Sequence, residues 1–232
     1  KKICMKQVSK INIFKEFFLD NQSRIFSSLV KVCNIGVNFL FYLLLIRTLG
    51  LSKSGLIYAC LNLNIIVLIV GQIGFKFSVV KFISQYFIKN KIDEIKKLIE
   101  YTTKIQIWIS FLFSIALIIG ISQLNQFLFS GIDFRIELTL FILSIPFLLI
   151  KDNNSFIIQG LGKPVLALII NTLLLPIFLI VGILFFPFQT TLHLSLIHLI
   201  SSFMIFIISQ KIRSYIFLEN SKEMNTNKNK NI

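Results

Sequence analysis

Apolar residues run along this chain in long blocks, separated by short charged or turn-forming stretches. A membrane-crossing helix needs about 20 mostly apolar residues. Six blocks reach that length, roughly 27–48, 55–80, 105–127, 136–159, 165–186 and 190–209. No Lys, Arg, Asp or Glu interrupts the stretch from Pro164 to Gln210. It is too long for one crossing, and Pro187 marks the turn that divides it. The pattern predicts an all-α, polytopic membrane protein with six transmembrane helices. A cytoplasmic amphipathic segment (1–24) precedes the six-span body (25–210), and a polar, disordered tail (211–232) follows it.

Helical periodicity sorts the few polar positions inside the blocks. In the first block Lys31, Asn34, Asn38 and Tyr42 form one stripe. In the second, Gly74, Ser78, Lys81 and Gln85 share a face that suits close packing or a cavity wall, while Lys76 lies on the far side with Gln72. In the fourth, Lys151, Ser155 and Gln159 share a face, and Asp152 points about 100° away from Lys151. Adjacent residues do not face each other on a helix, so Lys151 and Asp152 are expected to be poor partners. Charge inside a membrane segment is costly and marks bundle interiors or watery paths. Of the four intramembrane lysines, Lys31 is close enough to a span end to snorkel. Lys76 falls off the small-residue stripe. Lys81 and Lys151 are the stronger candidates, and Lys151 with Asp152 is expected to lie deepest.

Two short amphipathic stretches flank the spans. Around 11–19, Ile13, Phe14, Phe17 and Phe18 alternate with Lys15, Glu16 and Asp20, as in an interfacial helix. Around 91–99, Ile92, Ile95, Leu98 and Ile99 share a face. Asn90 is the expected N-cap of that helix, with Asp93 and Glu94 in its first turn.

Composition agrees with this picture. The chain has 232 residues, 55% of them hydrophobic, and a formal net charge of +14. Its mean hydropathy is +0.82. In a membrane protein such a charge points to basic cytoplasmic loops and anionic headgroups, not to nucleic acid. With the N-terminus inside, 17 Lys/Arg fall on cytoplasmic segments and three (Arg47, Lys53, Arg135) on outer loops. That asymmetry predicts N-in and C-in.

Catalytic chemistry has no foothold. There is no P-loop, no nucleophile elbow and no HExxH motif. Cys4, Cys33 and Cys60 lack the spacing of a disulfide framework or zinc site. His193 and His198 do not share a helical face, and Asp133 and Glu137 read as solvated interface residues. The expectation is a protein that is not an enzyme and carries no cofactor or metal.

Three segments carry a family resemblance, in order and at family-like spacing. They are LLLIRTLGLSKSGLIYACLNL (43–63), IGFKFSVVKFISQYFIKNKIDEIKKLI (73–99) and IIQGLGKP (157–164). Together with the span spacing they resemble the polysaccharide-biosynthesis (Wzx-like) oligosaccharide flippases of the multidrug/oligosaccharidyl-lipid/polysaccharide exporter superfamily. The resemblance covers about residues 25–210 and matches the N-terminal lobe of a two-lobed fold. It implies a multi-pass protein of the bacterial cytoplasmic membrane that moves a polyprenyl-diphosphate-linked oligosaccharide, with a second lobe or a homodimer closing the cleft. On that reading Lys31, Lys81 and Lys151 meet the diphosphate, and Asp152 shares their path. Asn34, Asn38, Ser78 and Gln159 hydrogen-bond sugars, and Arg47 stands at the outer mouth. Membrane lipids are the other expected partners. The alternatives are a drug or metabolite cation antiporter of the same superfamily and a non-transporting membrane interaction protein.

Overall fold

The computed structural model describes the backbone of residues 2–72, 74–129, 132–185 and 190–230, and within them the side chains from Arg24 to Ser221. The described residues are helical apart from short turns. The helices are α1 (Lys2–Leu49), α2 (Leu51–Gly71), α3 (Phe75–Ile88), α4 (Ile92–Ile119) and α5 (Ile121–Phe129), followed by α6 (Arg135–Gly160) and α7 (Pro164–Leu168). A π-helical segment (Ile169–Leu173) joins α7 to α8 (Leu174–Phe185), and α9 (Thr191–Lys230) ends the chain.

Five stretches are long and apolar enough to cross a membrane: Arg24–Leu49, Leu51–Gly71, Ile92–Ile119, Pro164–Phe185 and Thr191–Ser221. The protein is thus a helical, multi-pass membrane protein. The fourth predicted block, α6, is not among the five, because Lys151, Asp152, Asn153 and Asn154 interrupt its apolar run. It is instead the hub of the bundle. It packs against α2, α3, α4, α5, α7, the π-helical segment and α9, and its residues from Leu148 to Ile158 are all buried. Against lipid, a helix this polar would be expensive. Surrounded by protein, it carries its polar residues into the core. α1 lies outside the hub, against α2, α7, the π-helical segment and α8.

Turn chemistry sets the helix ends. Gly50, at φ +77°, is the one non-helical residue between α1 and α2. Asn90, at φ +53°, closes α3: its N–H donates to Phe87 O at 3.1 Å, and Lys91 N–H reaches Tyr86 O at 3.0 Å. That is a Schellman motif, so Asn90 terminates α3 and does not cap α4. Lys91 holds the N-cap position of α4 without a side-chain cap, although Asp93 and Glu94 do occupy its first turn. The same motif closes α6 in the GLGKP turn. There Gly162 takes φ +86°, Lys163 N–H donates to Ile158 O at 3.2 Å, and Pro164 starts the next helix.

The predicted second span is broken. α2 stops at Gly71, and α3 restarts after Gly74, which sits in the left-handed region at φ +77°. The third is also split, into α4 and α5 at Gly120. The amphipathic residues of 11–19 lie before the described side chains, within the unbroken backbone helix of α1. The tail expected to be disordered continues as backbone helix to Lys230, with side chains beyond Ser221 outside the described residues.

Close helix crossings use glycine. A Cβ on Gly160 would lie 2.8 Å from Ile83 Cβ, and one on Gly182 would lie 2.6 Å from Ile197 Cγ2. These two positions lock α6 to α3 and α8 to α9. At the opposite end of α6, Arg135 donates to Asp133 Oδ1 at 3.0 Å. That hydrogen bond holds the exposed Asp133 carboxyl below the usual carboxylate range.

Candidate functional site

Side-chain contacts fix which residues share a level. α9 runs parallel to α6: Thr191 Oγ1 donates to Glu137, the His198 and Phe141 rings lie 4.5 Å apart, and Asn154 donates to Ser209 Oγ. α2 is also parallel to α6, with Asn64 bonded to Phe141 O and Ser144, and Gln72 to Asp152. α4 is antiparallel, since Ser114 donates to Ile142 O while Arg213 bridges Thr103 and Asn154. α1 and α2 form an antiparallel pair, with the Tyr42 and Tyr58 rings 5.3 Å apart. At a rise of 1.5 Å per residue, two polar layers emerge about 12 Å apart. One is around Asn64, Ser144 and His198. The other is around Gln72, Gln106, Lys151 and Asp152, toward the α3–α4 end.

The second layer holds the charges. Lys151 and Asp152 are buried, and Lys151 Nζ stands 2.7 Å from Asp152 Oδ1. Against the expectation that these neighbours are poor partners, they form a buried ion pair. The long lysine side chain swings back over the 100° that separates their Cβ directions. Gln72, at the broken end of α2, donates its Nε2 to the other Asp152 oxygen.

Lys151 has a further acceptor that the π-helical segment creates. In the i→i+5 pattern Leu174 N–H donates to Ile169 O. Lys151 Nζ stands 3.1 Å from Asn171 O, within that segment, and 3.4 Å from Asn171 Oδ1. The ion pair therefore ties three irregular features together: the α2–α3 break, the hub helix and the π turn before Pro176.

Around the pair are amides with spare capacity. Gln106 Nε2 donates to Gly71 O at 3.3 Å, while its Oε1 has no partner among the described residues. Asn153 is 2% exposed, and neither its Oδ1 nor its Nδ2 has a described partner. The α4–α6 register places Gln106 and Asn153 within about a turn of each other. Beyond them, Asn154 and Thr103 accept from Arg213 at 2.9 and 3.3 Å. Charge resumes there with Lys104 and Arg213. Among the described residues Lys151 and Asp152 are the buried Lys, Arg, Asp or Glu side chains, and they sit toward the α3–α4 end of the bundle.

The other predicted residues separate. Ser78, Lys81 and Gln159 are exposed, and so is the whole Gly74–Ser78–Lys81–Gln85 stripe, because α3 buries Val79 and Ile83 instead. Lys31 is exposed on α1, at about the level of Ile69 on α2 by the hairpin register. Arg47 is exposed beside the Gly50 turn. Asn34 and Asn38 are half-buried and bonded to each other, Nδ2 of Asn38 donating at 2.8 Å to Asn34 Oδ1. Lys76 lies 5.8 Å from the Phe156 ring centroid and 5.9 Å from that of Phe77, within cation–π range.

Sequence reasoning missed Gln72, Gln106, Asn153, Asn154, Asn171 and Arg213. One signal was available. Thr102, Gln106, Ser110 and Ser114 recur every four residues and are all buried. Among the described residues no three His, Cys, Asp or Glu side chains group so as to hold a metal ion. No protein-family model, curated protein or solved structure matches the chain.

Proposed function

We propose that this chain is one lobe of a flippase. It moves a polyprenyl-diphosphate-linked oligosaccharide across the bacterial cytoplasmic membrane for surface polysaccharide biosynthesis. The observation that carries this reading is the level of the lysines. Lys31 and Lys76 lie near one edge of the apolar slab, at about the level of the enclosed Lys151, and Lys81 follows about a turn and a half after Lys76 along α3. Loop charge assigns that edge to the cytoplasm, with both termini inside and α6 as the sixth crossing. A diphosphate headgroup resting in the inner leaflet meets cations at that depth, while its polyprenyl tail stays in lipid. The exposed Lys31 and Lys81 face outward from the bundle, as they would toward a second lobe or a second copy. Lys151 and Asp152 are enclosed, so their part is to hold the broken helix in place, not to touch cargo.

The test is translocation of a fluorescent lipid-linked oligosaccharide in proteoliposomes. Lys31→Ala and Lys81→Ala each lower the rate, and the double variant lowers it at least tenfold. A double variant at full rate overturns the cation-lined entry. A second reading, a drug or metabolite cation antiporter, draws on the buried Asp152 carboxylate, and it requires a proton or sodium gradient for transport. A wild-type chain that moves nothing, alone or self-associated, leaves the interaction-protein reading.

A further inference from the structure

The layer around Asn64 contains a half-enclosed cavity of about 110 Å³ between α1, α2, α6, α8 and α9. Its wall is mostly apolar, from Phe41, Leu61, Leu148, Pro176 and neighbours, with Tyr42 and Asn38 toward α1. Two buried polar side chains line it, Asn64 at 2% exposed and His198 at 1%. Both Asn64 amide hydrogens are committed, to Phe141 O at 3.2 Å and Ser144 Oγ at 3.1 Å. Its Oδ1 is left with no described partner, and so is Nδ1 of His198. Asn64 bonds the carbonyl of Phe141, and the His198 ring lies 4.5 Å from the Phe141 ring, so both side chains flank one residue. Leaving polar atoms unpaired at this depth costs several kcal/mol each in hydrocarbon.

We infer that this cavity binds the hydroxyl end of an apolar alcohol. Asn64 Oδ1 can only accept. His198 Nδ1 donates in one of its two neutral tautomers. A hydroxyl is the group that can both give a hydrogen to Asn64 and receive one from His198. A carboxylate could not donate to Asn64. An ammonium could not accept from His198, and a hydrocarbon would leave both unpaired. Size sets a further limit. A dry apolar cavity of about 150 Å³ takes benzene, so this smaller one takes the hydroxyl and its first few carbons. The remainder of a longer chain leaves past Ile65, which lines the cavity and is 49% exposed. The site is separate from the lysine layer and does not depend on the flippase reading.

The experiment is photolabelling of the full chain in liposomes with a diazirine-bearing octanol, beside a diazirine octane of the same length. The alcohol labels cavity residues at least fivefold more than the alkane, and unlabelled octanol competes. Butanol competing as well as octanol assigns the site to free short alcohols. Octanol or longer competing alone assigns it to lipid-like ones. The Asn64→Leu/His198→Phe variant loses the preference for alcohol, and Leu148→Trp, which fills the cavity and keeps both polar groups, loses the label altogether. Equal labelling by alcohol and alkane, or labelling unchanged in Leu148→Trp, overturns the proposal.

Discussion

The Lys151 ammonium serves two acceptors, the Asp152 carboxylate and Asn171 O. Removing one member of a buried ion pair costs roughly 3–5 kcal/mol, because the other charge is stranded. Lys151→Met therefore lowers thermal stability in detergent sharply. Lys151→Met/Asp152→Leu recovers much of the loss, since apolar replacement of both partners is often neutral. The contact with the π turn predicts a further coupling: Lys151→Met and Asn171→Ala interact by about 0.5–3 kcal/mol in a double-mutant cycle, and additive single effects would show that the Asn171 side chain does not help hold the ammonium. The sequence marked Lys151 and Asp152 as unusual by their polarity alone. It did not show the pairing, because helical phase locates Cβ atoms and says nothing of where four methylenes carry an ammonium.

Among the elements, α6 depends most on its neighbours. Its apolar run is short, and its polar half is tolerable only inside the ring of α2, α3, α4, α7 and α9. The contact with α3 passes through Gly160, so Gly160→Val overpacks that crossing by about 1–3 kcal/mol. Ile83→Gly, which removes both the Cβ and the Cγ2 in the way, partly restores it. Both are read by the melting temperature of the purified protein. Gly74 carries a different burden. Its φ of +77° is strained for any side chain, and Gly74→Ala costs about 1–2 kcal/mol. Element existence was legible from the apolar blocks, and the GLGKP turn from its glycine and proline. The α2–α3 break was not, because Gln72 and Gly74 sit in a sequence hydrophobic enough to read as continuous helix. Asn90 misled for a related reason: asparagine suits a helix start as an N-cap and a helix end in the left-handed region, and only backbone φ decides between them.

For the molecule as a whole, the proposed six crossings with both termini inside make a prediction about sidedness. After Cys4, Cys33 and Cys60 are replaced, Ser52→Cys and Asn90→Cys react with a membrane-impermeant maleimide from opposite faces of an oriented vesicle. Reaction from the same face would mean that α2 and α3 turn back without crossing. Overall class and charge asymmetry could be read from the sequence because lipid forces both on composition. The separation of Lys31 and Lys81 from Lys151 could not, since a stripe gives direction around one helix but not which helix stands beside it. One further point concerns biogenesis. With Gly50 as the one residue between them, α1 and α2 have no slack, and on the proposed topology Arg47 and Lys53 cross the bilayer on a tip too short to be threaded alone. The two helices therefore enter the membrane as a closed hairpin. A nascent chain that ends within α2 leaves α1 without settled sidedness until the second arm has been made.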